Sequence, residues 1–161
     1  MNASASAAIL LSILGCADII VATFAPGWLS TNVLGVTGSE GPLLVCISGT
    51  CRVIIQNRPA SILAVFSLLC LATVTGIFGL VLLIIGGCCS SDRNMFSSGS
   101  ASVLVSGIFA LAGVATYTGV TAQAVQASSF LSYYYCFGMC WAGAFLSLMA
   151  AMLGFLGGKL L

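Results

Sequence analysis

Four long apolar runs, at about residues 3–25, 60–87, 101–122 and 134–157, fill most of this 161-residue chain and leave it few ways to fold. Each holds the ~20 mostly apolar residues that a helix needs to cross the hydrocarbon core of a bilayer. In that medium every backbone N–H and C=O must be paired within the chain, which restricts spanning segments to helices or a closed barrel. A barrel would show segments of about ten residues with alternating polarity. The run from Ala60 to Gly87 is unbroken, so helices are expected. With 60% hydrophobic residues, 4% charged residues and a mean hydropathy of +1.21, almost no mass is left outside the membrane. The expected fold is membrane all-α, a single left-handed bundle of four transmembrane helices over residues 1–161. Loops at 26–59, 88–100 and 123–133 connect the spans. The first run lacks a basic leader and a clear small-x-small cleavage site, so it is expected to remain as a span.

The charges exclude several classes of function. The net charge is +1, histidine is absent, and the only acidic residues, Asp18, Glu40 and Asp92, lie far apart. There is no basic patch for nucleic acid, no converging set of metal ligands and no pair of titratable groups for acid–base chemistry. Enzymatic activity, a cofactor and a small-molecule substrate are therefore not expected. The partners expected are membrane lipid and either further copies of the chain or a larger membrane protein.

Basic residues in the flanks usually set orientation, but Arg52 and Arg58 oppose Arg93 and Lys159, two against two. The cysteines say more. Cys46 and Cys51 lie in a polar loop, as Cys-Ile-Ser-Gly-Thr-Cys, with Gly49 suited to a tight reversal. A disulfide there would persist only on an oxidising face; the alternative is two free thiols. Cys88 and Cys89 lie at the other end of the second span, where adjacent cysteines suit S-palmitoylation in the cytosol; the alternative is two unmodified small residues. Together these place the 26–59 loop outside and both termini in the cytosol of a plasma-membrane protein. The sequon Asn2-Ala3-Ser4 would then be cytosolic and unused. Cys136 and Cys140, four apart on one helical face, are poorly placed for a second bridge.

The first outer loop carries strand signals, β-branched residues bounded by Gly, Ser and Pro. Residues 27–34, 43–47 and 51–55 read as strands, with residues 35–42 as a turn between the first two. A small antiparallel sheet is expected on the outer end of the bundle, and an exposed edge of it would be a docking surface.

Individual residues sharpen the picture. Asp18 falls inside the first span, about 10 Å below Ala25 by helix rise. A carboxylate at that depth is expensive and functional by default. It would either pair with Arg58 or be held by a hydroxyl; the functional reading is a polar contact that specifies assembly with another chain. Glu40 and Arg52 are the charges that would tune ion preference if the loop lined a path between cells; otherwise they are solvated loop charges. With so few charges, strong selectivity is not expected. Phe130, Tyr133, Tyr134, Tyr135 and Trp141 cluster at the start of the fourth span, as an interfacial aromatic belt or an adhesive knob. Ser102, Ser106 and Ala110, with Gly76/Gly79 and Gly154/Gly157, give the small-residue spacing that lets helices approach closely in lipid.

These residues resemble a family. A tryptophan, then Gly-Leu-Trp-x-x-Cys, a second Cys and an Arg at the start of the second span mark the claudins and the four-span superfamily of peripheral myelin and epithelial membrane proteins. Trp28, Gly41, Cys46, Cys51 and Arg58 stand at the corresponding places, with Leu43 where the second Trp would be. Gly86-Gly87-Cys88-Cys89, Tyr135-Cys136-Phe137-Gly138 and Trp141-Ala142-Gly143 resemble later family stretches, so the likeness runs over nearly the whole chain. The loop from Trp28 to Gly41 and the gap between the cysteines are shorter than in claudins. The sequence ends at Gly157-Gly158-Lys159-Leu160-Leu161 without the claudin scaffold-binding tail, so attachment to a junctional scaffold is not expected. The resemblance implies a protein that assembles side by side, mediates cell–cell contact and limits paracellular permeability at cell junctions. The alternative is an auxiliary subunit that modulates a larger ion channel or receptor.

Overall fold

The computed structural model describes residues 3–33, 36–54, 58–89 and 92–160. Four helices are long and apolar enough to cross a membrane. They are α1 (Ala3–Phe24), α2 (Ala60–Ile84), α3 (Arg93–Ala127) and α4 (Tyr135–Leu160), with a short π-helical extension of α2 over Ile85–Cys89. Five short strands form the rest: β1 (Leu29–Val33), β2 (Val36–Glu40), β3 (Leu44–Ile47), β4 (Thr50–Val53) and β5 (Leu131–Tyr133). Asn2 of the sequon, Leu34 and Ile55 of the expected strands, and the Cys89 side chain lie outside the described residues.

The helices close a ring in which α1 packs on α4, α4 on α3 and α3 on α2, with a thinner α1–α2 seam. In lipid, close approach of backbones through small residues drives such packing. A Cβ added to Gly79 would come within 2.8 Å of the Val103 backbone N and 2.9 Å of the Gly99 carbonyl oxygen, and one added to Gly99 within 2.8 Å of the Leu83 N. Gly15 and Gly143 interlock in the same way between α1 and α4. Ser106, one of the small residues at four-residue spacing, donates from Oγ to the Ala72 carbonyl at 2.6 Å, stitching α3 to α2. The bundle core is layered: Phe96, Leu83 and Val103 at the end far from the sheet, Ile19, Ala72, Ala110 and Ala144 in the middle, and Trp28, Tyr117, Leu69 and Val65 under the sheet.

Two expectations are corrected. The segment expected as a polar loop before the third span is mostly helix, because Asp92 caps α3 by accepting from the Asn94 N–H at 2.9 Å and Phe96, Gly99 and Ser100 pack inward. At 35 residues α3 is about 52 Å long by helix rise, well beyond the ~30 Å hydrocarbon core. Val36–Glu40, expected within a turn, is the central strand of the sheet. The order is β4-β3-β2-β1-β5, all antiparallel, so β5 from the α3–α4 connection adds to the free edge of β1. Both connections that emerge at this end are thereby woven into one sheet.

Candidate functional site at the sheet end of the bundle

Trp28 fixes the sheet to the helices. α1 ends at Phe24, Gly27 lets the chain pass where a Cβ would strike the Tyr135 ring and the Cys136 sulfur, and Trp28 turns into the bundle with no exposed surface. Its indole Nε1 donates to the Ala22 carbonyl at 2.6 Å, so the one polar atom of a buried ring is satisfied. Tyr117 meets its face edge-on at 4.7 Å and Phe137 at 6.2 Å between ring centroids. The Trp28 backbone binds both neighbouring connections: its N–H donates to the Glu40 carbonyl at 3.1 Å, and its carbonyl accepts from Tyr134 at 2.9 Å.

Gly41 follows β2 where a Cβ would lie 2.7 Å from the Ala25 carbonyl oxygen, so only glycine lets the two backbones meet. Arg58, just ahead of α2, reaches this junction. Its Nη2 donates to the Gly41 carbonyl at 3.2 Å and its Nη1 pairs with the Glu40 carboxylate. The Arg58 side chain is 9% exposed and the Glu40 side chain 38%, so the pair is screened on one flank only. Leu43, in the place of a second tryptophan, is partly buried and accepts the Ile54 N–H through its carbonyl at 3.2 Å. Trp28, Gly41 and Arg58, far apart in sequence, thus form one junction between α1, the sheet and α2.

The expected pairing of Asp18 with Arg58 does not occur. Arg58 is held at sheet level by Glu40 and Gly41, whereas Asp18 is a partly buried residue of α1 whose Cβ packs against Gly143 of α4.

The disulfide is present. Cys46 and Cys51 face each other across the β3–β4 hairpin, whose two-residue turn puts Ser48 at φ 48° and Gly49 at φ 82°. Positive φ at both central residues is the turn geometry that matches strand twist in a two-residue hairpin. Because the bridge closes a loop of only a few residues, its chain-entropy contribution is about 2 kcal/mol. Cys136 and Cys140 are buried free thiols, as their helical spacing implies.

Strand register sorts the remaining residues onto two faces. On one face Ser132, Ser30, Ser39, Cys46 and Cys51 stand side by side across all five strands. Ser30, Ser39, Cys46 and Cys51 of this row line a concavity of about 490 Å³, to which Thr37 and Tyr134 also contribute. The opposite face carries the row Tyr133, Leu29, Glu40, Val45 and Arg52. Its β1 and β2 part rests on the bundle, and Arg52 is exposed where β4 overhangs. Glu40 and Arg52, read from sequence as similar loop charges, therefore differ: one is neutralised by Arg58 and the other faces solvent. Every charged side chain of the two connections lies off the hydroxyl face.

The aromatic cluster also divides. Tyr133 stacks on Phe137 at 4.2 Å between centroids, with its hydroxyl 3.2 Å from Thr121 Oγ1, and is part of the core beneath β5. Phe130, Tyr134 and Tyr135 are exposed by 59%, 50% and 52%. At the far end of the bundle, Cys88 is exposed in the π-helical turn. The hydroxyl row and β5 were missed by sequence reading; the alternation Ser30, Asn32 and Thr37, Ser39 is a polar strand signal that the Gly-rich context hides.

No curated protein matches the chain. The family model of the PMP-22/EMP/MP20/Claudin family matches residues 3–157, covering the sheet and all four helices except the last three residues of α4. Its span, together with a five-stranded sheet pinned by Trp28 and the Cys46–Cys51 disulfide onto four membrane-crossing helices, leads to one assignment: the chain belongs to the PMP-22/EMP/MP20/Claudin family.

Proposed function

We propose that this protein is a non-enzymatic junctional barrier component of the plasma membrane, which assembles side by side and contacts other chains through its sheet, with both termini cytosolic. The observation that carries the reading is the rigid sheet itself, tied to the bundle by Trp28 and Arg58 and built from both connections at one end. A surface of this kind, stiff and projecting from a chain with almost no other extramembrane mass, suits contact between neighbouring and facing molecules. The disulfide supports an oxidising exterior at the sheet end, and Cys88 and Cys89, at the other end of α2, are the proposed cytosolic palmitoylation sites. Phe130 and Tyr134, exposed beside β5, are the proposed adhesive contacts.

The charges favour a barrier over an ion-selective channel. Fixed charges aimed into a passage set its ion preference. Here the concave face offers serine and threonine hydroxyls, a tyrosine and a disulfide, while Glu40 is paired and Arg52 belongs to the other face. Expression in a claudin-depleted epithelial monolayer should raise transepithelial resistance while leaving the NaCl dilution potential close to its free-solution value. Ser39→Asp should then shift that potential toward cations. Unchanged resistance with the protein at the surface overturns the barrier reading and leaves the auxiliary-subunit alternative.

A further inference from the structure

We propose that Asp18 is the docking point for a transmembrane helix of another protein that carries a lysine or arginine at the same depth. Asp18 lies about 10 Å below Ala25 along α1, inside the span. From there a carboxylate on one methylene falls short of the headgroups. Of its neighbours one turn away on the same helix, Leu14 and Val21 are 55% and 40% exposed while Gly15 and Ala22 are buried, so Asp18 stands at the edge of the packed face of α1, open on one side. Across the α1–α4 seam stands Gly143, which has no side chain to offer, and a Cβ there would come 2.9 Å from the Asp18 Cβ. Among the described residues no hydrogen bond or ion pair engages the Asp18 carboxyl group.

Charge complementarity selects the occupant. A carboxyl group in hydrocarbon is costly unless it faces a bundle interior or a watery cavity and pairs with another polar group, and a helix of another chain against this edge of α1 would give Asp18 both. A second copy supplies no cation at this level. Of the chain's four basic residues, Arg58 is committed to Glu40, Arg52 is on β4, Arg93 opens α3 and Lys159 lies in the last turn of α4. A cation that pairs with Asp18 therefore has to come from a different chain, lying along the seam beside it. The inference does not depend on the junctional reading.

The test uses the full chain in phosphatidylcholine vesicles with synthetic single-span Leu/Ala helices, read by energy transfer between labelled partners. One peptide carries Lys at the depth of Asp18, one Leu and one Glu at the same position. The Lys peptide should associate about five- to thirtyfold more tightly than the Leu peptide, the range of one interhelical polar contact, and the Glu peptide should gain nothing. Asp18→Asn and Asp18→Leu should each abolish the preference while the disulfide and helical content are retained; if Asp18→Leu misfolds, the isosteric Asp18→Asn decides. Equal binding of the Lys and Leu peptides, or a preference that survives in Asp18→Asn, overturns the proposal. So does loss of a homo-oligomer in Asp18→Asn without any peptide, which would assign the seam to a second copy.

Discussion

Arg58 shows how one side chain can set a junction that sequence reading places elsewhere. The family resemblance marked Arg58, Trp28 and Gly41 as a set, but gave no hint that Arg58 serves Glu40 and the Gly41 carbonyl instead of Asp18. The reason is vertical position: Arg58 precedes α2 and stays at the level of the sheet, while Asp18 is about 10 Å down α1. Removing the guanidinium leaves a partly buried carboxylate and a carbonyl without their donor, and such orphaned groups cost more than the bond itself contributes. Because the Glu40 side chain is 38% exposed, water offsets part of that cost. Arg58→Ala should therefore lower stability by about 1–3 kcal/mol in detergent unfolding experiments. Glu40→Ala in the same background should add little, and additive losses in that double-mutant cycle would show that the pair is not coupled.

The elements differ in how much of them could be read in advance. The spans were legible because an unbroken apolar run admits only a helix in lipid, and α1 and the start of α2 fall where the runs do. The ends of α3 were not, because Ser97, Ser98, Gln123 and Gln126 read as loop once the apolar run stops. Helix continues there because capping and inward packing act where hydropathy is silent. β2 was hidden for a related reason: it gains its stability from ladder pairing with β1 and β3, not from an apolar face of its own, while the three residues of β5 are too few to show their alternation. Glycines in the helices carry two meanings that spacing alone does not separate. Gly99 is clamped between the Leu83 N–H and the Gly79 carbonyl, whereas Gly119 has open space around it. Gly99→Ala should destabilise by about 1–3 kcal/mol, since backbone must move. Gly119→Ala should be neutral or stabilise by up to about 1 kcal/mol, from better helix propensity. Thermal unfolding of the two variants in one detergent checks both, and equal effects would mean that the α2–α3 seam yields freely.

At the scale of the whole molecule the two ends are chemically unlike, and that polarity supports the proposed orientation where the charges are silent. Basic residues are divided evenly between the ends: Arg52 and Arg58 at the sheet, Arg93 and Lys159 opposite. The sheet end carries the Cys46–Cys51 disulfide, and the opposite end carries the exposed Cys88. A disulfide in contact with the cytosolic thiol pool would be reduced, which supports the proposed placing of the sheet end outside. The proposed orientation, with both ends of the four-span bundle opposite the sheet facing the cytosol, rests on that inference. Single reporter cysteines separate the two orientations: Ser132→Cys on exposed β5 and Ser98→Cys on the exposed face of α3 near its start. Each is made in a background with Cys88 and Cys89 replaced by serine, so that no native thiol at the turn competes. A membrane-impermeant maleimide should label Ser132→Cys in intact cells and Ser98→Cys only after permeabilisation. The reverse pattern would put the hydroxyl face and the aromatic residues beside β5 in the cytosol, where neither could meet a facing cell, and the junctional reading would fail with the orientation.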